Sequence, residues 1–214
     1  MELEKGLSEL SQAIIGGKHV DSEKITSELL MDEIDAKEIL ERGLLPGMAV
    51  VGQRFRDGEI YLPQVLVSAR AMKVAMKLLE PLLAKSNMKS RGKILLGTVK
   101  GDVHDIGKNI VGIMLQGAGY NVVDAGIDCD AHKIFVACEE QKPDIIGLSA
   151  MLTTTMVYMK TVTDYLHGKG VTAPIIIGGA PTSQKYAEGI GADGYAHNAA
   201  DAVELVKRIL DDRG

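Results

Sequence analysis

The chain changes its hydrophobic period once, at Lys93, and that change constrains the fold more than any other feature. From there on, short apolar runs at 94–99, 121–125, 145–149 and 175–177, with a weak one at 194–196, alternate with helical stretches. The predicted helices lie at 106–117, 131–141, 154–168, 183–189 and 199–211. Runs so short and apolar read as buried strands. Strand–helix alternation implies a parallel sheet covered on both faces, with right-handed crossovers. Five such units make a flavodoxin-like or Rossmann-like doubly wound α/β sheet, with expected strand order 2-1-3-4-5.

Before Lys93 the pattern is all-helical. Leu3, Leu7, Leu10 and Ile14 form a stripe at spacings of three and four, ended by Gly16-Gly17. Ile25, Leu29 and Leu30 form a second stripe. Asp35 can cap a third helix, with Glu38 three residues on, carrying Ile39, Leu40 and Leu44. Pro46-Gly47 restarts the pattern through Met48, Val51 and Phe55, and Asp57-Gly58 signals a turn. A last helix from about 62 to 83 turns Val65, Leu66, Ala69, Met72, Met76 and Leu79 inward. The plain reading is a four- or five-helix bundle. The polar stretch 85–92 reads as a linker. The expected domains are therefore an all-α helical bundle at 1–88 and the α/β domain at 91–214.

Composition narrows the function. The 214 residues have room for two modest domains. With no Trp and only two Phe, the core must be Ile, Leu, Val, Ala and Met. A net charge of −5 and the lack of a Lys/Arg cluster argue against nucleic-acid binding. Cys129 and Cys138 suit neither a disulfide framework nor a metal spacing and read as half-buried structural thiols. The first ten residues alternate acidic and apolar, unlike a signal peptide. No apolar run approaches the ~20 residues needed to cross a bilayer. A cytoplasmic protein without membrane partners is expected.

Candidate chemistry concentrates after the first strand, in Gly101-Asp102-Val103-His104-Asp105-Ile106-Gly107. A loop at the carboxyl end of a strand is where such sheets bind ligands. A His two residues after an Asp suits a metal ligand with its own orienting carboxylate. The competing reading is a surface His, with Asp102 or Asp105 capping the next helix. Strands three and four end in Ser149-Ala150-Met151 and Gly178-Gly179, so all three loops open onto one sheet edge. In the order 2-1-3-4-5 the His104 loop faces Ser149 across the switch point. Glycine at a strand end suits a close approach to backbone, or simply a tight turn. Lys108 and Asn109 fall on the first turn of the following helix. His19, His132, His167 and His197 have no partner by spacing and read as solvent-exposed.

Taken together, Asp102-x-His104-x-x-Gly107, 41 residues, Ser149-x-Met151, 26 residues and Gly178-Gly179 resemble the three-part signature of cobalamin-binding domains. The family has Ser-x-Leu in the middle part, and Met151 departs from it conservatively. The helical half carries Gly47-Met48, Val51-Gly52, Phe55, Gly58-Glu59, Leu62-Pro63-Gln64, Ser68-Ala69 and Met72. That series is similar to the helical cap before the cobalamin module in methionine synthases and small corrinoid proteins. Thr153-Thr154-Thr155 and Gly178-Gly179-Ala180-Pro181 look most like the corrinoid proteins of methylamine, betaine and methanol methyltransferase systems.

The resemblance implies a cobalamin or related corrinoid cofactor, methylated in the resting carrier, with its own base displaced and His104 as axial cobalt ligand. Gly101, Asp102, Val103, His104, Asp105, Ile106 and Gly107 would form the binding loop. Asp102 would fix the imidazole tautomer, and Ser149 would continue the relay beside Met151. Gly178 and Gly179 would admit the displaced base, while Thr153 and Ala199 would touch corrin or tail. Glu41, Phe55, Leu62 and Val65 match cap positions over the methyl face, or are ordinary bundle packing. Such a cap excludes water and would swing on residues 85–92. No catalytic residue is implied.

The function so implied is a methyl carrier. It accepts a methyl group on cobalt(I) from a methylated amine, betaine or methanol through a substrate:corrinoid methyltransferase. It delivers that group to a second methyltransferase, with coenzyme M or tetrahydrofolate as acceptor. A reductive activase would rescue oxidised cobalt. The chain carries the cofactor that does the chemistry and is not expected to turn over alone. The alternative is a cobalamin-binding sensor, which usually appends a DNA-binding module not visible here. A mutase small subunit lacks the helical cap, and a receiver domain needs an Asp where this chain has Ser149.

Overall fold

The first stripe becomes the inner side of helix α1 (Leu3–Ile15), with Leu7, Leu10 and Ile14 buried, in a computed structural model that describes residues 3–85 and 91–213. Helix α2 (His19–Met31) differs from its apolar pattern. Its buried positions are Ser22, Thr26 and Leu29, while Ile25 and Leu30 are only half-buried. The inner hydroxyls are tolerated because both are bonded: Ser22 Oγ donates to the Ala71 carbonyl at 3.0 Å and Thr26 Oγ1 to the Ser22 carbonyl at 2.7 Å.

Asp35 caps α3 (Ala36–Glu38) by accepting the Lys37 N–H at 2.7 Å. Glu38 turns outward to Arg42 at 2.6 Å, so the capping box is half made. The chain then widens into a π-helical turn, Ile39–Leu44, and continues directly as α4 (Leu45–Arg56). Pro46 sits in the first turn of the new register, where its missing N–H costs little. The expected restart is thus a change of helical register rather than a break. Helix α5 (Leu62–Lys85) buries Val65, Ser68, Ala71, Met72, Ala75 and Leu79. Leu66 is exposed, contrary to expectation, because it lies beside that stripe and not on it. Of the expected linker, residues 86–90 lie outside the described residues.

The second of the two compact units is the sheet. Its strands are β1 (Lys93–Val99), β2 (Asn121–Cys129), β3 (Ile145–Ser149), β4 (Ile175–Gly178) and β5 (Gly194–Ala196), all parallel in the order 2-1-3-4-5. The crossovers are α6 (Ile106–Gly117), α7 (Ala131–Gln141), α8 (Thr153–Met156) with α9 (Tyr158–Gly168), and α10 (Gln184–Ile190); α11 (Ala199–Asp211) follows β5. Alternate residues serve the two faces, as strand geometry requires. Leu95, Val99, Ile146, Leu148, Ile175 and Ile177 pack into one core with Ile134, Met159, Val162, Leu166 and Ile190. β2 runs past its expected end because it bulges. Leu96 pairs with Asp124, Gly97 with Gly126 and Val99 with Cys129, leaving extra residues that curl the end of β2 toward the β1 loop.

Candidate functional site at the carboxyl edge of the sheet

Strand β1 ends in a turn closed by the Asp102 N–H on the Val99 carbonyl at 3.1 Å. Gly101 stands third in it with φ 81°, the positive angle that a type II turn demands. The turn drives the Asp102 side chain fully into the protein. Its Oδ1 accepts the His104 backbone N–H at 3.0 Å and faces the ring Nδ1 at 2.8 Å. Its Oδ2 accepts the Met151 N–H at 2.7 Å and the Thr155 hydroxyl at 2.6 Å. Burial by itself would raise the carboxyl pKa. The Thr155 hydroxyl, the Met151 amide and the two His104 donors outweigh it and hold Asp102 well below the usual carboxylate range.

An ionised Asp102 requires the proton of His104 to sit on Nδ1, which leaves the Nε2 lone pair for a ligand. The ring is half exposed, with 52% of its side chain open to solvent. Thr98 Oγ1 donates to the His104 carbonyl at 3.0 Å and fixes the loop from inside the sheet. Exposed apolar side chains flank His104 in the sequence at Val103 and Ile106, and the segment after β3 adds Met151, Leu152 and Val157. Exposed apolar side chains on the loops that carry a ligating nitrogen suit a flat, largely apolar ligand.

The relay differs from the sequence expectation. Ser149 ends β3 opposite Thr98, but the hydroxyl on Asp102 belongs to Thr155. The signal was the run Thr153-Thr154-Thr155 opening a helix after strand three. Only its third member points inward, buried, while Thr153 is exposed. Gly179 is where another backbone approaches closely, as a glycine at a strand end suggests. At φ 125°, a Cβ there would stand 1.9 Å from the Ala150 carbonyl oxygen. The bare backbone lets the loop after β4 press on the loop after β3, one residue before the Met151 N–H that holds Asp102. Gly178, the last residue of β4, accepts the Ala150 N–H at 3.3 Å.

The remaining expected positions are dispersed. Asp105 precedes α6 and its carbonyl accepts the Asn109 N–H at 2.8 Å. Gly107 is exposed on the first turn of α6. Ala199 opens α11 and is buried. In the helical unit, Glu41 lies exposed in the π turn, Phe55 and Leu62 are half-buried, and Val65 is fully buried.

Lys108 carries more than its place on a helix turn suggested. It is buried, with its ammonium 2.6 Å from Asp124 Oδ2 on β2 and 3.0 Å from Asn109 Oδ1. Cys129 and Cys138 are fully rather than half buried, and burial pushes the Cys138 thiol up to about 11. His132 and His197 each find a tyrosine hydroxyl, Tyr165 at 3.4 Å and Tyr195 at 3.0 Å, and His19 is half-buried.

Among the described residues, no group of three or more His, Cys, Asp or Glu side chains is placed to hold a bare metal ion. A metal at His104 must therefore bring its other ligands with it, as one set in a macrocycle does. A single imidazole with a fixed tautomer and an apolar surround fits that group.

Comparison with known proteins points to the same class of cofactor. A B12 binding domain family matches residues 92–204, and a second B12 binding domain family matches residues 7–80. A corrinoid protein of Desulfitobacterium hafniense is 46% identical over 209 residues, covering 95% of this chain and 97% of the relative. The dimethylamine corrinoid protein of Methanosarcina barkeri is 41% identical over 213 residues, covering 98% of this chain and all of the relative. Among solved structures, the methanol:cobalamin methyltransferase complex of Methanosarcina barkeri contains a chain that superposes with a TM-score of 0.87 at 32% identity. The match spans 97% of this chain and 80% of that one. A cobalamin-binding protein from Desulfitobacterium hafniense superposes with a TM-score of 0.78 at 33% identity, over 94% and 96% of the two chains.

Proposed function

The chain belongs to the B12-binding corrinoid proteins of methyltransferase systems, and from that membership we propose how its residues serve a methyl carrier. Bound at the sheet edge, the corrinoid supplies a metal that takes up and releases a methyl group. His104 offers Nε2 to that metal. Asp102 accepts the Nδ1 proton, fixes the tautomer and raises the basicity of the ligating nitrogen. Thr155 and the Met151 amide hold the second carboxylate oxygen, so the ring would keep one orientation toward a bound corrinoid. Val103, Ile106, Met151, Leu152 and Val157 provide the apolar seat. Gly101, Asp105, Gly107, Ser149, Thr153, Gly178 and Ala199 complete the walls. In the helical unit Glu41, Phe55 and Leu62, exposed or half-buried, would serve as the cap's contacts and exclude water, while the fully buried Val65 would support them from within the bundle.

The partners we propose are a substrate:corrinoid methyltransferase, a second methyltransferase with coenzyme M or tetrahydrofolate as acceptor, and a reductive activase. Donor choice lies with the first of these. The dimethylamine and trimethylamine corrinoid proteins, each 41% identical to this chain, favour a methylated amine over betaine or methanol. A sensing role is not favoured by these relatives. No helix among the described residues is long and apolar enough to cross a membrane.

The observation that carries the reading is the half-exposed His104 ring pinned through Nδ1 to a buried, fully bonded carboxylate. Reconstitution with hydroxocobalamin tests it. The wild type should give the absorption spectrum of a corrinoid with its own base displaced and histidine bound, and His104→Ala should lose the histidine signature. An unchanged spectrum in the variant would refute the assignment.

A further inference from the structure

Asp128 stands at the curled end of β2 with φ 49°, one of three residues other than glycine at positive φ among those described. Asp and Asn tolerate this left-handed conformation better than other side chains. The conformation has a use. Asp128 Oδ1 accepts the Gly101 N–H at 2.7 Å, while its own backbone N–H donates to the Asp102 carbonyl at 3.0 Å. The two bonds run in opposite senses and hold the peptides on either side of the Gly101–Asp102 link, Lys100–Gly101 through its N–H and Asp102–Val103 through its carbonyl, so they bracket the backbone that sets the direction of the Asp102 side chain. Behind it, Asp124 Oδ1 accepts the Gly126 N–H at 2.8 Å and Oδ2 meets the buried Lys108 ammonium at 2.6 Å. The hook from Asp124 to Asp128 is thus tied to helix α6 at one end and to the β1 turn at the other.

We propose that Asp128 is a positioning residue for His104: its clasp holds the backbone on both sides of the Gly101–Asp102 link and, through Asp102, the angle at which the imidazole is presented. The inference rests on the methyl-carrier reading, since it assumes that His104 ligates the corrinoid metal. The bonds of Asp128 go to the turn, at Gly101 and Asp102, and its effect on His104 passes through that turn. The hydrogen-bond partner of a metal-ligating His is worth about 10–100-fold in metal affinity or activity, and Asp128, which acts on that partner through the turn, belongs at the lower end.

The test uses the full chain with Asp128→Asn and Asp128→Gly. Both residues accept φ 49°, Gly without strain and Asn with less than other side chains, so neither variant adds backbone strain; only Asn keeps an acceptor for Gly101. Two readouts are taken: hydrogen exchange of the Gly101 amide in the protein without cofactor, and the histidine-bound fraction with hydroxocobalamin. Asp128→Asn should match the wild type in both. Asp128→Gly should exchange Gly101 at least tenfold faster and bind cobalamin about tenfold more weakly, with a reduced histidine-bound fraction. Asp128→Ser, too short to span to Gly101, carries the same expectation should the glycine variant not fold. A glycine variant indistinguishable from Asp128→Asn overturns this inference alone. A wild type without histidine ligation overturns the functional reading and the role of Asp128 with it.

Discussion

Thr155 Oγ1 lies 2.6 Å from Asp102 Oδ2, inside the protein, and so joins the helix after β3 to the loop after β1 through one carboxylate. The opposite oxygen of that carboxylate holds His104. Ring, carboxylate and hydroxyl form a chain across the switch point, and each link can be cut separately.

Cutting at the hydroxyl separates Thr155 from Ser149. Thr155→Val keeps the shape and removes the donor, which leaves a buried acceptor short and should cost about 1–2 kcal/mol in urea unfolding. Thr155→Ser should restore most of it. Ser149→Ala should leave both the stability and the histidine-bound spectrum close to wild type. A Ser149→Ala effect larger than that of Thr155→Val would return the relay to Ser149.

Asp102→Asn should lower stability at neutral pH by about 1–3 kcal/mol, since an amide cannot accept from all four donors. The pH dependence has a definite sign. The folded carboxyl titrates below its unfolded value, so its stabilisation is complete above the ordinary Asp range and drains away as pH falls. The stability gap between wild type and variant should therefore narrow as pH drops below about 4. Melting temperatures of the cofactor-free proteins from pH 7 to pH 3 measure it, and a gap that widens toward acid contradicts the account.

Gly179→Ala places a methyl 1.9 Å from the Ala150 carbonyl oxygen at φ 125°. Neither backbone can yield without moving the Met151 amide off Asp102. The expected loss is about 3 kcal/mol or more, combining backbone strain with overpacking. Denaturant unfolding reads the first effect, and a weaker histidine-bound spectrum reads the second.

The Lys108–Asp124 pair is unequal: the lysine side chain is 3% exposed and the aspartate 52%. Asp124→Ala should therefore cost about 3 kcal/mol, because it strands a buried ammonium. Lys108→Met leaves a carboxylate that water can reach and should cost about 1 kcal/mol. Equal losses in thermal unfolding would mean the lysine is better solvated than its burial implies.

The sheet was legible because its strands are short apolar runs bounded by turn formers; β3 and β5 match the expected residues end for end. The end of β2 was not legible. Gly126 and Asp128 look like a terminus, and only pairing with β1 shows that the ladder continues through Gly126 to Cys129, with the register shifting on either side of Gly126. His104 and Asp102 were legible because the bond between them is local, two residues apart. Thr155 was not, because its bond spans 53 positions and depends on how a short helix is turned. The π turn at Ile39–Leu44 also escaped, since Pro46-Gly47 signals a break equally well whether the helix stops or merely changes register.

The buried carboxylate gathers its donors from two separate crossovers, and this makes metal binding a sensor of local opening. If the corner at 150–156 loosens while the strands stay paired, the imidazole loses its aim although nothing near it has unfolded. By reciprocity, a ligand gripped through the ring should slow amide exchange at Met151, whose N–H is held by the same carboxylate 49 positions away.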